Sequence, residues 1–373
     1  MTTHQQYMRR CLELAKKGAG AVAPNPMVGA ILVHKDKIIG EGWHQQYGEV
    51  HAEVNAIREA IHNGNEELIS QATLYVSLEP CAHFGKTPPC ADLIIQHKIP
   101  EVIIGCRDPF KAVNGKGIEK LNAAGVVVEL GILENECKEL NKRFFTFHTK
   151  QRSYIILKWA QTADGKIAPL NPSPKESGVL QTEGETFEEA GNRRLLISNE
   201  YSNRIVHRWR SEEAAILIGT NTALLDDPEL TTRLWPGNSP VRLVVDRNLR
   251  LPDSLKIFNQ QVRTIIFNKA KQEEDGNVFY YQVTDHESLV QQITRVLYQL
   301  NIQSVLVEGG AQLLQSFIDE GIWDEARVIT NEKLIINEGL DAPRLSFGIN
   351  IHEQNILADT IRIYKSEVNH LNT

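Results

Sequence analysis

No stretch of this 373-residue chain is apolar for long enough to cross a bilayer. The opening MTTHQQYMRRCLELAKKGAG lacks the apolar core of a signal peptide, so the expectation is a cytoplasmic protein with no membrane partner. Positive charge is not in excess: Lys and Arg number 40 against 47 Asp and Glu, a net charge of −7. A dedicated nucleic-acid binder usually carries a basic face, so no nucleic-acid partner is expected. Cysteine is scarce, at five, and odd in number. That argues against a disulfide framework and fits thiolate ligands in a reducing compartment. No G-x-G-x-x-G turn and no internal repeat occur. The remainder, 42% hydrophobic and 23% charged, is ordinary for a globular protein, and the length suggests two domains.

Apolar periodicity divides the chain into two runs of alternating helix and strand. Residues 4–17 place Tyr7, Met8, Cys11, Leu12, Leu14 and Ala15 at helical spacing. After the turn-rich Pro24-Asn25-Pro26, apolar runs at 28–33 and 38–40 flank the polar turn His34-Lys35-Asp36-Lys37, which predicts a β-hairpin. Helices are expected over 51–62, 91–95 and 117–124, and strands over 73–78, 102–105 and 126–130. One helix over 133–147 closes a layered α/β domain of about 145 residues. Lys150-Gln151-Arg152-Ser153 is the expected boundary. The alternation restarts with strands at 154–159, 214–218, 241–245, 264–267 and 304–307, and helices at 199–210, 289–300 and 312–320. Such alternation implies a mostly parallel, doubly wound sheet. Residues 169–193, rich in Pro, Gly, Ser and Glu, are expected to form a loop or lid.

His51-Ala52-Glu53, followed by Glu79-Pro80-Cys81 and Cys90, is the most informative feature. One imidazole and two thiolates can hold Zn²⁺ in three tetrahedral positions and leave the fourth for water. Glu53, too close to His51 to ligate the same ion comfortably, can move protons beside that water. The arrangement matches zinc nucleobase deaminases, which carry H-x-E and a later P-C-x-x-C, except that eight residues separate Cys81 from Cys90. A purely structural zinc is the competing reading, with His83 as fourth ligand. In the second half, Glu308-Gly309-Gly310 between an apolar strand and a helix can bring backbone close to a phosphate. Lys158 lies among core residues and needs a partner or a function. Asp226-Asp227-Pro228-Glu229-Leu230-Thr231-Thr232-Arg233 reads either as a surface turn or as a polar binding loop.

His51-Ala52-Glu53-Val54-Asn55-Ala56, the segment from Leu78 to Cys90, Pro24-Asn25-Pro26-Met27-Val28-Gly29 and Asp108-Pro109 resemble the bifunctional riboflavin-biosynthesis deaminase/reductase family. The long gap between the cysteines is that family's own variant. Lys158, Asp164-Gly165-Lys166, Gly219–Asp227, Leu230, Arg233 and Glu308-Gly309-Gly310 fall in the order of its reductase half. The resemblance implies an α/β chain with a cytidine-deaminase-like three-layer domain over 1–147 and a dihydrofolate-reductase-like doubly wound domain over 153–373. It implies Zn²⁺ and NADPH as cofactors, a phosphorylated pyrimidine as small-molecule partner and, by analogy, a homo-oligomer. The catalytic residues it implies are Glu53, Lys158 and Asp226, with His51, Cys81 and Cys90 on the metal. It implies NADP contacts at Ala160, Thr222, Asp226, Gly310, Ala311, Gln312, Leu313, Leu314, Gln315 and Ser316. Substrate contacts would come from Asn25, His44, His83, Lys86 and Asp108 in the first domain, and from Arg210, Leu230, Arg233 and Glu308 in the second. The alternative is a nucleobase or nucleoside deaminase whose second domain only binds ligand.

Overall fold

Two compact units meet in sequence at Arg152 and Ser153. The computed structural model describes residues 2–84, 88–170 and 195–367. Lys86, residues 171–193 of the expected lid and the last six residues lie outside them.

The first unit is built on a five-stranded sheet. Its elements are α1 (Thr3–Ala15), β1 (Gly29–His34), β2 (Lys37–Trp43), α2 (Ala52–His62), β3 (Thr73–Leu78), α3 (Cys90–Gln96), β4 (Glu101–Cys106), α4 (Lys116–Ala123), β5 (Val127–Leu130), α5 (Glu134–Leu140) and α6 (Lys142–Lys150). Strand order is β2-β1-β3-β4-β5. The predicted hairpin forms β1 and β2, and β1 also runs antiparallel to β3, while β3, β4 and β5 are parallel. Both faces of the sheet are apolar because both are covered. Ala30, Leu32, Leu74, Val76, Val102 and Ile104 pack beneath Ala56 and Ile57 of α2 and Ile94 of α3. On the other face, Ile31, Tyr75 and Ile103 pack against Met8, Leu12 and Leu14 of α1 and Cys137 of α5. This is a three-layer α/β/α unit.

Two features aim the end of α2. A Cβ on Gly42 would stand 2.3 Å from the Ala52 carbonyl oxygen, so only glycine lets the first turn of α2 lie directly on β2. Asn55 Nδ2 then donates to the Trp43 carbonyl at 2.8 Å and pins that turn. The single helix expected over 133–147 is instead two, broken at Asn141 (φ −104°, ψ 24°). Asn141 leaves the helical path because its side chain is engaged elsewhere, as described below.

The second unit holds a ten-stranded sheet of order β11-β12-β10-β9-β8-β13-β6-β14-β17-β16. These are β6 (Tyr154–Thr162), β8 (Ala215–Gly219), β9 (Val241–Val245), β10 (Thr264–Asn268), β11 (Glu273–Asp275), β12 (Val278–Gln282), β13 (Ser304–Val307), β14 (Glu325–Asn331), β16 (Gly348–Ile356) and β17 (Asp359–Ser366). β7 (Lys166–Pro169) and β15 (Gly339–Asp341) form a separate small ribbon. Neighbours from β12 to β14 are all parallel, and among the described residues antiparallel pairs in this sheet occur only at its two edges. Helices α7 (Glu200–Glu212), α8 (Thr220–Asp226), α9 (Leu289–Gln299) and α10 (Ala311–Asp319) connect the strands. Val290, Ile293 and Leu297 of α9 and Phe317 of α10 pack on one face, and Val206 and Trp209 of α7 on the other. The expected strands are present with ends shifted by a few residues at most, while β7, β11, β12, β14, β15, β16 and β17 lie where the sequence pattern predicts none. Ligand sites in such sheets lie at the carboxyl ends of the parallel strands, where Gly219 and Glu308 stand here.

Candidate active sites

His51 is the N-cap of α2, Cys81 follows the end of β3, and Cys90 opens α3. The fold brings the three together. His51 Nδ1 is 3.6 Å from Cys81 Sγ and 3.3 Å from Cys90 Sγ, and the Cys90 N–H points at Cys81 Sγ at 3.3 Å. All three donor atoms lie within 4.8 Å of one another. A tetrahedral zinc with ordinary bond lengths separates a nitrogen and a sulfur ligand by about 3.6 Å, so the donor set fits that ion. The electrostatics agree. The hydrogen bond from Cys90 pulls the Cys81 thiol down to about 4, with His51 assisting against burial. Cys90 is pushed up by the Cys81 thiolate and by burial. Two thiolates side by side conflict, and a dication between them removes the conflict. Glu53, in the first turn of α2, is 3% exposed, and burial raises its pKa despite the nearby His51.

The surrounding residues are tied to this centre. Asn25 Nδ2 donates to His44 Nε2 at 3.1 Å, which leaves the His44 proton on Nδ1, facing the Val50 carbonyl at 3.1 Å. The His44 ring stands edge-on to His51 with centroids 5.5 Å apart. Both nitrogens of His44 are therefore engaged, and it holds Asn25 in place. Asp108 is buried, its Oδ1 accepts the Phe110 N–H at 2.8 Å, and burial lifts its pKa to about 7. His83 is exposed, with its ring 6.0 Å from that of Phe110.

Two residues with no assigned role in the motif reading shape the pocket. Glu79 is 3% exposed, and its carboxylate accepts the backbone N–H groups of Gly115 and Gly117 at 3.0 Å each and of Asp108 at 3.3 Å. It fastens the loop before α4 to the Pro80–Cys81 turn. Asn141 is also 3% exposed and clasps Met27 at both backbone groups: Oδ1 accepts its N–H at 2.8 Å and Nδ2 donates to its C=O at 2.9 Å. Asn141→Ala should therefore destabilise the first unit by about 1–3 kcal/mol, because two partly buried backbone groups of Met27 lose their partners. The Asn25 loop should loosen with it, so ammonia release should show a raised KM. Thermal unfolding and steady-state kinetics check both effects; unchanged values in both would show that the clasp is dispensable.

In the second unit, Glu308 follows β13 and meets Arg210 of α7 in a fork: Nε to Oε1 at 2.8 Å and Nη2 to Oε2 at 2.7 Å. Lys158 of β6 stands 3.8 Å from the same Oε2. Burial would raise the Glu308 carboxyl, but Arg210 and Lys158 outweigh it and hold it at about 2. Arg210 Nη1 also reaches the Thr231 carbonyl at 3.4 Å, and the Arg233 N–H donates to His207 Nδ1 at 3.0 Å. Leu230 is buried and Arg233 is half-exposed, paired with Glu229 at 2.7 Å. Thr222 of α8 faces the glycine turn: a Cβ on Gly309 would stand 2.9 Å from Thr222 Oγ1. With Gly310 at φ +71° before α10, this is a cradle that side chains would fill, and it fits a cofactor phosphate. Asp226, the first residue of the expected polar turn, instead ends α8, and Ala160 lies two residues beyond Lys158 on β6. Along α10, Leu314 is buried in the core, Gln315 binds Asp319 and the Arg344 backbone, and Ser316 donates to the Gln312 carbonyl. The first turn of α10 is the part placed to take a phosphate.

Residues 1–106 match the cytidine and deoxycytidylate deaminase zinc-binding region, and 153–335 match the RibD C-terminal domain. The riboflavin biosynthesis protein RibD of Aquifex aeolicus is 40% identical across 94% of this chain and 92% of its own length. The chain belongs to the RibD family. RibD of Escherichia coli is 32% identical over 98% of this chain and 96% of its own. The crystal structure of a diaminohydroxyphosphoribosylaminopyrimidine deaminase/5-amino-6-(5-phosphoribosylamino)uracil reductase from Thermotoga maritima superposes with a TM-score of 0.83 at 35% identity, covering 97% of this chain and 98% of that one.

As a RibD-family chain it is a bifunctional enzyme of riboflavin biosynthesis, a zinc-dependent deaminase joined to an NADPH-dependent reductase with a dihydrofolate-reductase-like fold. Matches that span both units disfavour a nucleobase deaminase with a non-catalytic second domain. The RibD motifs contain Glu79 but give it no role, and they gave no hint of Asn141 or His207. Only His207 carried a usable signal, its place three residues before Arg210 on one helix face.

Proposed function

We propose that the first unit hydrolytically deaminates a diaminopyrimidinone ribosylamine phosphate, and that the second reduces the ribosyl chain of the product to a ribityl chain. The observation that carries the first half is the convergence of His51 Nδ1, Cys81 Sγ and Cys90 Sγ within 4.8 Å beside the buried Glu53. Zinc, when bound, lowers the pKa of a bound water towards roughly 7. Glu53 would take one proton from the attacking water and give it to a ring nitrogen. It would then take the second from the hydroxyl added to the ring carbon and give it to the amino group, which leaves as ammonia. Asn25, His83 and Asp108 would contact the substrate, with His44 holding Asn25; Lys86, outside the described residues, is kept as a contact from the family resemblance alone.

NADPH, when bound, supplies the hydride. The turn at Gly309 and Gly310, Thr222 and the first turn of α10 would hold it, with Ala160 and Asp226 beside it. Lys158 and Glu308 orient the opened ribose. Arg210 is engaged with Glu308. That leaves Arg233, whose surface pair with Glu229 exchanges readily, to meet the phosphate. The enzyme works in the cytoplasm on small molecules, as a homo-oligomer; light scattering of the purified protein tests the last point.

Zinc content tests the ligand set. The wild-type chain should carry about one zinc. Cys90→Ser should lose both zinc and ammonia release, yet still oxidise NADPH when given substrate already deaminated. Full zinc retention in that variant would remove Cys90 from the metal.

A further inference from the structure

The segment that carries Leu230 and Arg233 is neither helix nor strand, and it holds two non-glycine residues in the left-handed region, Asp227 at φ +37° and Leu230 at φ +55°. Such residues persist only where their surroundings hold them. Asp227 is held by the Lys256 N–H, and two side chains from one face of α7 hold the residues that follow Leu230. Arg210 Nη1 takes the Thr231 carbonyl at 3.4 Å, and His207 Nδ1 takes the Arg233 N–H at 3.0 Å. A backbone N–H can only donate, so Nδ1 must carry the lone pair and the ring proton must sit on Nε2. His207 is 6% exposed, so the ring has little freedom to turn.

We propose that His207 is a positioning residue of the reductase: as the neutral Nε2-protonated tautomer it holds the Leu230–Arg233 segment so that Arg233 is presented to the substrate. This rests on the reading of Arg233 as a substrate contact. A protonated imidazole would have no acceptor for the Arg233 N–H and would release the segment. Burial, then Arg210, Arg233 and Lys158, outweigh Glu308 and hold His207 down at about 4, which keeps the accepting form in place.

The test follows NADPH oxidation by the whole enzyme on substrate already deaminated. His207→Phe fills the same space without an acceptor and should raise the KM for substrate about fivefold to tenfold, the loss of one hydrogen bond, with a smaller change in kcat. His207→Asn, whose Oδ1 can accept the same N–H, should return KM to within about twofold of wild type. Ammonia release, made by the other unit, reports whether the chain is intact. The proposal is overturned if the Asn and Phe variants behave alike, or if kcat falls with KM unmoved. Arg233→Ala separates the two readings. If it raises KM while His207→Phe does not, the clamp alone fails. If Arg233→Ala leaves KM unchanged, the substrate contact itself is wrong, and the proposal falls with it.

Discussion

Glu53→Gln should lower ammonia release by about 10²–10⁴-fold, the usual worth of a positioned proton carrier, while the zinc stays bound. Glutamine keeps the shape and one acceptor of the side chain but cannot take a proton from water. Glu53 is not one of the three donors, and glutamine has nearly its volume, so the change leaves His51, Cys81 and Cys90 in place. Its carboxylate reaches the Cys90 thiol without joining the ligand set. Metal analysis and an ammonia assay on the same preparation separate the two effects. Ammonia release within about tenfold of wild type would remove Glu53 from its role.

The second large effect is expected at Glu308. Its carboxylate answers two cations at once, the Arg210 fork and Lys158, in a setting where its side chain is 6% exposed and that of Arg210 13%. Glu308→Ala should destabilise the second unit by about 3–5 kcal/mol, because it leaves Arg210 buried without its counter-charge. NADPH oxidation should vanish, and the two units should melt apart in a scan where the wild type shows closer transitions. The ion pair also predicts a pH dependence. The carboxyl sits at about 2 in the folded chain, below the roughly 4.3 of an unfolded glutamate. Its contribution, of order 3 kcal/mol, is therefore fully present above about pH 4.3 and is lost as pH falls towards 2. Urea titrations at neutral pH and near pH 3 should show a loss in wild type that is much smaller in Glu308→Gln. Equal losses in both would place the acid sensitivity elsewhere.

The zinc ligands were legible in the sequence because the chemistry demands particular residue types. Histidine and cysteine at the ends of predicted elements have few bland uses in combination. The layers were legible too, since Leu74–Val76, Leu243–Val245 and Val305–Val307 are apolar runs inside the strands that only a covered sheet explains. What stayed hidden was set by partners far along the chain. Asn141 means nothing until Met27, 114 residues away, is beside it. That pairing broke the helix that the local pattern had predicted. His207 is one polar residue on an amphipathic helix until the Arg233 N–H arrives. β16 escaped notice because eight of its nine residues are exposed, so no alternation marks it as a strand. Glu308 was seen as part of a glycine turn, while its fork with Arg210, 98 residues earlier, needed the fold.

A coupled assay decides whether one chain performs both reactions in the order proposed. Purified protein with zinc would be given the diaminopyrimidinone ribosylamine phosphate and NADPH, with ammonia and NADPH followed together. Ammonia should appear first, and NADPH should disappear after a lag, to the same final amount. NADPH loss without a lag, before any ammonia, would reverse the order; ammonia with no NADPH loss would leave the Lys158–Glu308–Arg210 site without the reduction assigned to it.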